Sequence, residues 1–292
     1  MERMCRAKGI AFEATHSKER LQIADYDILW LPMEWIDPKH LPPSIRILYG
    51  PQHFIFPNQA HSGVCGLEDE ALSKRSFYIC LSPWVKEVYE EFSPWFKIPL
   101  TPIPFGIQQF PPRDLEACTL DCIVYFKRRN PMELNKVLSI LEFMQLNYKV
   151  FSYGAYQEHD YQQALQTTKC ILWLGTHESQ GFALQEALSR NIPICVLDAQ
   201  TMFEEYKGYD AYRGIKALKS TTASWWDERC GEKITEIDSL HETLIKMLAS
   251  ISSYKPAEYV KEVLSDDVCM SRIFKQLSIQ EGTDNQHVQR PI

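Results

Sequence analysis

Residues 170–198, CILWLGTHESQGFALQEALSRNIPICVLD, change character three times, and those changes decide the fold class. Residues 170–174 are a short, wholly apolar run that suits a parallel strand covered on both faces. A polar loop follows at 175–180. Residues 181–190 have helical spacing, and 193–197 form a second apolar run. Strand, loop, helix and strand in this order make a βαβ unit, whose right-handed crossover makes the strands parallel.

The same alternation continues outward. Residues 121–126 (DCIVYF) predict a strand. Residues 131–145 predict a helix capped by Asn130, with its apolar stripe on Leu134, Val137, Leu138 and Leu141. A strand at 148–153 and a helix at 159–168 complete the run, and helices at 239–249, 256–264 and 266–277, the last capped by Ser265, close the chain. Upstream, residues 26–31, 45–49, 77–81 and 101–105 read as strands ended by Pro or Gly. Residues 83–92 read as a helix with Ser82 as N-cap and Pro83 in the first position. The stretch 106–120, GIQQFPPRDLEACTL, is largely polar and marks a boundary. The prediction is an α/β protein of two Rossmann-like domains facing across a cleft, 1–112 and 113–278, with a flexible tail at 279–292. The N-terminal domain is reduced, because little chain precedes its first strand.

A chain of 292 residues is long enough for two cores. Its formal charge of −7 argues against a nucleic-acid partner and against docking on an anionic membrane. The nine cysteines are odd in number and form no CxxC pair, so they read as small buried hydrophobes in a reducing compartment. Residues 1–15 lack the apolar core of a secretory signal, and no segment reaches the apolar length of a transmembrane span. These features predict a cytoplasmic protein.

Ligands of parallel sheets bind beyond the carboxyl ends of the strands, which is where the loop 175–180 lies. Gly181 removes a side chain at the helix start. The amides of Gly181, Phe182 and Ala183 are then able to approach a diphosphate, with the helix dipole in support. Glu178, on the loop, is placed to accept hydrogen bonds from sugar hydroxyls, and Glu186, inside the helix, from a ribose. The plain alternative is a pair of solvated carboxylates near a helix start.

The spacing Glu178-x7-Glu186, with Gly181, Phe182, Ala183, Leu184, Ala187 and Pro193 around it, resembles the Glu-x7-Glu motif of retaining GT-B glycosyltransferases, the glycogen-synthase-like class. Gln180 stands where the class has an aromatic, and Asn191 where it has a glycine. The segments ILYGP (47–51) and SWWDERCG (224–231) are similar to glycosyltransferases of large DNA viruses. The resemblance implies that Glu178 faces the donor sugar and Glu186 the nucleotide ribose. It implies that Lys127, and after it Arg128, hold the donor diphosphate, that Gly154 forms the turn after the next strand, and that His53 contacts the donor sugar. Leu184 joins Gly181, Phe182 and Ala183 in the donor-binding segment, and Glu178, Lys127 and His53 form the catalytic set.

The expected activity is transfer of a sugar from a nucleotide-sugar donor, with retention, to a glycan, lipid or protein acceptor. No cofactor and no metal are expected, because the basic turn takes the diphosphate charge and no DxD-type cluster ends a strand. The alternatives are a non-catalytic nucleotide-sugar or glycan-binding module on the same fold and, less in keeping with the glutamate spacing, a sugar-nucleotide epimerase. Four features have simpler readings. Lys127-Arg128-Arg129 suits a solvated turn, His53 a hydrogen-bonded loop histidine, Trp225-Trp226 packing, and Asp266-Asp267 charge–dipole stabilisation of a helix start.

Overall fold

The computed structural model describes residues 1–15, 23–32, 41–51, 75–92, 98–202 and 219–277. His53 and the tail 279–292 lie outside the described residues. The chain divides into two compact units, one of Met1–Gly106 with the chain from Asp266 onward, the other of Ile107–Ser265. The last helix therefore belongs to the first unit, whereas the sequence reading assigned it to the second.

In the first unit β1 (Ile28–Leu31), β2 (Arg46–Tyr49), β3 (Ser76–Cys80) and β4 (Leu100–Pro102) form a parallel sheet in the order β1-β2-β3-β4. β3 is buried at every position because both sheet faces are covered. Tyr78 and Cys80 point to one core with Leu29, Ile47 and Tyr49. Phe77 and Ile79 point to the other. That second core is closed by α1 (Glu2–Ala7) and by the C-terminal helix Asp266–Gln276, through Met4, Cys5, Cys269, Met270 and Ile273. Pro102 sits on the edge strand, where a missing amide costs no ladder bond. α2 (Pro83–Phe92) starts with Pro83 as expected. Ser82 does not cap it through its side chain, since its buried hydroxyl makes no hydrogen bond.

Asp266 and Asp267 open the C-terminal helix and pair with Arg3 at 2.7 Å and Lys8 at 3.3 Å. They tie that helix to α1. No group of three or more metal-ligating side chains occurs among the described residues.

In the second unit β5 (Leu120–Lys127), β6 (Tyr148–Ser152), β7 (Thr168–Gly175), β8 (Ile194–Leu197) and β9 (Gly231–Ile234) form a parallel sheet in the order β6-β5-β7-β8-β9. Helices cover both faces. α3 (Pro131–Phe143) and α6 (Leu240–Ala249) pack Val137, Leu141, Leu244 and Met247 on Cys122, Val124, Cys170 and Leu172. α4 (Glu158–Thr167), α5 (Phe182–Ser189) and α7 (Pro256–Val263) pack Leu165, Leu184, Ala187 and Val260 on Ile123, Ile171 and Ile194. The C-terminal helix of the first unit is α8. Asn130 caps α3 by accepting from the Met132 amide at 3.0 Å, and Pro131 takes the first position. Gly231 opens β9 where a Cβ would fall 2.1 Å from the Ile194 carbonyl oxygen, so only glycine fits. The cysteines among the described residues are free thiols, and all but Cys118 are buried.

Candidate functional site

From β5 the chain moves to one side to form β6 and then crosses back to form β7 on the other. That reversal opens a crevice at the carboxyl ends of β5 and β7, the usual ligand position in such sheets. Lys127, the last residue of β5, is in register with Gly175, the last residue of β7. The two strand ends thus bring the basic turn and the loop 175–180 together.

Lys127 Nζ donates to Glu178 Oε1 at 2.6 Å, with the two side chains only 18% and 12% exposed. Lys127 also lies 4.7 Å from the Tyr153 ring centroid, and the Arg128 guanidinium lies 5.8 Å from it on the same aromatic side chain. Arg129 goes elsewhere. It pairs with Glu133 at 2.8 Å and donates to the Gly175 and Leu197 carbonyls at 3.0 and 2.9 Å. The left-handed backbone at Arg128, φ 55°, separates these directions. Lys127 and Arg128 thus share the Tyr153 side of the turn, while Arg129 ties together the ends of β7 and β8.

Burial raises the Glu178 pKa, against the opposing pull of Lys127 and Arg128. Burial also lowers the His177 pKa to about 4, and Lys127 and Arg128 add to that shift. Lys127, Arg128, Glu178 and the neutral His177 imidazole thus meet at the ends of β5 and β7. The backbone of Glu178 is fixed at both ends of its peptide units. Its amide donates to the Thr221 carbonyl at 3.1 Å, and its carbonyl accepts from Ser224 Oγ at 2.6 Å. Asp198, just past β8, holds that strap in turn by accepting from Thr221 Oγ1 and the Thr222 amide, both at 2.7 Å.

Gly181 is the N-cap of α5 with φ 81° and ψ 58°, a left-handed conformation that favours glycine. A Cβ there would meet Glu178 Cβ at 3.4 Å, so the backbone angle rather than space requires glycine. The first-turn amides of Phe182, Ala183 and Leu184 precede the helix's own ladder, which starts with Gln185 donating to the Gly181 carbonyl at 3.0 Å. The Phe182 side chain is about half exposed, and that of Leu184 is in the core. Glu186 lies on the second turn of α5, half-buried, where its charge acts on Tyr156, Tyr161 and Arg190. Gly154, after β6, is left-handed with open space where a Cβ would be.

His177, the buried Gln180–Gln185 pair and the 221–224 strap were not singled out by sequence. Only His177 carried a signal, as the neighbour of Glu178 in the loop. Trp225 and Trp226 pack against the core, and Lys233 Nζ lies 5.6 Å from the Trp226 ring centroid. Asn191 holds φ 61° at the end of α5, in the place where the class has glycine. No described helix is long and apolar enough to cross a membrane.

No protein-family model matches the sequence, and no curated protein is significantly similar to it. Solved structures do match its fold. One is that of accessory secretory protein 1, 2 and 3 in Streptococcus pneumoniae, with TM-score 0.52 and 12% identity over 86% of this chain and 53% of that one. Another is a TarM mutant of S. aureus in complex with fondaparinux, alpha-GlcNAc-glycerol and UDP, with TM-score 0.51 and 11% identity over 80% of this chain and 51% of that one. A third is the lipopolysaccharide outer core galactosyltransferase WaaB, with TM-score 0.50 and 15% identity over 80% of this chain and 68% of that one. The chain spans about half the length of the first two. The protein has the α/β GT-B fold of glycosyltransferases, with two parallel-sheet units.

Proposed function

We propose that the protein is a glycosyltransferase that moves a sugar from a nucleotide-sugar donor to a glycan, lipid or protein acceptor, with retention, in the cytoplasm. The observation that carries this reading is the convergence of Lys127, Glu178 and the Gly181 helix start at the strand-order reversal of the second sheet. Lys127, Arg128 and the amides of Phe182 and Ala183 would bind the diphosphate. Glu178 would accept from the sugar hydroxyls, Glu186 from the ribose, and Gly154 would let the backbone approach the donor. The Leu184 side chain would anchor the helix that carries this segment.

The chemistry asked of these groups is electrostatic. Negative charge builds on the diphosphate as its bond to the anomeric carbon breaks, and preorganised cations and amides stabilise it. The proposal assigns no metal, because Lys127 and Arg128 carry the positive charge that the leaving group needs. Retention, with attack from the face the diphosphate leaves, rests on the resemblance of the 178–186 segment. His53 is proposed as a further sugar contact on the same ground.

The test is a thermal-shift series with UDP-, GDP-, ADP- and dTDP-sugars, followed by donor hydrolysis. The UDP in the TarM complex makes UDP-sugars the first to try. A donor at a hundred times its Kd stabilises a single-site protein by about 2.7 kcal/mol. A melting-temperature rise with one donor class, together with slow release of its free sugar, is the expected result. Binding without hydrolysis of any donor would instead favour the non-catalytic module. The absence of both binding and hydrolysis would end the proposal.

A further inference from the structure

We infer that the Glu178 carboxylate competes with the donor phosphate for Lys127, and that this makes the site prefer sugar nucleotides to bare nucleoside diphosphates. The inference rests on the glycosyltransferase reading and adds a specificity device to it. Its basis is the 2.6 Å ion pair between two side chains that are each less than one-fifth exposed. A phosphate oxygen arriving at Lys127 competes with that carboxylate for one ammonium.

Thr221 and Ser224 hold the Glu178 amide and carbonyl, so the backbone that carries the carboxylate stays beside Lys127 when Lys127 is diverted. Lys127 and Arg128 are cations that act on it there. Its neighbour His177 is neutral, and the Tyr125 hydroxyl is kept protonated by burial first and by hydrogen bonding to Tyr156 next. A bare diphosphate thus brings further negative charge beside a carboxylate whose ion-pair partner Lys127 it has just engaged. A sugar on the terminal phosphate reverses the balance, because its hydroxyls donate to Glu178 while the phosphate takes Lys127. The same arrangement speeds departure of the spent nucleoside diphosphate, since its loss restores the ion pair.

Isothermal titration with UDP, GDP, ADP and their glucose conjugates tests this on the wild type, Glu178→Gln, Lys127→Ala and the double variant. Glu178→Gln is expected to tighten the bare diphosphate roughly tenfold and to weaken the sugar conjugate. The gain should vanish when Lys127 is already Ala. Glu178→Asp, whose shorter arm draws the carboxylate off Lys127, should give part of the gain should the Gln variant misfold. An unchanged or weaker diphosphate affinity in a Glu178 variant with the wild-type circular dichroism spectrum overturns the inference and leaves the glycosyltransferase reading standing. A wild type that binds no nucleotide in any form overturns both.

Discussion

Gln180 and Gln185 hold one another by two hydrogen bonds of 3.0 Å, the Gln180 amide donating to Gln185 Oε1 and the Gln185 amide donating to the Gln180 carbonyl. Both side chains are at most 2% exposed. They brace the loop against α5 immediately before Gly181. Gln185→Leu removes both bonds without opening a void. It should cost about 2 kcal/mol, the price of leaving buried amide groups short of partners. Urea denaturation reads that cost, and the KM for donor should rise with it, because the brace sets the position of the helix start.

Gly181→Ala puts a side chain on a backbone at φ 81°. The nearest atom to the new Cβ is 3.4 Å away, so the cost is conformational and not steric. A left-handed conformation disfavours alanine by about 1–2 kcal/mol. If the helix relaxes to escape it, the first-turn amides turn away from the crevice. The variant should lose nucleotide affinity more than its small drop in melting temperature accounts for. Equal affinity in the variant would remove these amides from the site.

Lys127 and Arg129 are two residues apart, yet their replacements should differ in kind. Lys127→Ala removes a charge from the crevice and should slow transfer by about 10²–10³, in the range for losing one transition-state donor. Glu186→Ala should weaken nucleotide binding about tenfold, or about 1.4 kcal/mol. Arg129→Ala takes away the donors that join Gly175 to Leu197. It should destabilise the fold by about 3 kcal/mol, the scale for breaking a part-buried charged network. Steady-state kinetics beside urea titrations of the three variants separate these outcomes.

The sequence made this contrast only half visible. Lys127, Arg128 and Arg129 form one basic run, and which of them turns to the crevice depends on a left-handed φ at Arg128 that no residue preference announces. Strands β5, β7 and β8 were legible because a strand covered on both faces must be apolar throughout. β9 was not, because an edge strand tolerates Glu232 and Lys233 and so loses that pattern. α1 was not, because only Met4 and Cys5 of its six residues are buried. The helix at 266–277 was legible, but a helical reading does not name a packing partner, and α8 joins the first unit through α1. In the site, the loop 175–180 and Gly181 were legible from their position after a strand. The strap from Thr221 to Ser224 was not, because its hold on Glu178 links residues 46 apart that share no motif.

His177 gives the fold a pH dependence of its own. Burial and the adjacent Lys127 and Arg128 lower its pKa from 6.5 to about 4, so the unfolded chain binds a proton that the folded one refuses. Stability from this group is complete above the unfolded value of 6.5. It falls as the pH drops from there towards 4, and is fully lost below that. Between pH 7 and pH 5 the linked loss is about 2 kcal/mol. Glu178 acts in the opposite sense, since its raised pKa makes the folded state the better proton acceptor just above 4.5. Asp121, Glu133 and Asp227, held below their ordinary values, lose stability only at lower pH. Wild-type urea unfolding at pH 7 and pH 5 should therefore show the loss, and His177→Gln should flatten it. An equal slope in the two proteins would mean that His177 binds protons alike in the folded and unfolded states and would place its ring outside the cationic crevice.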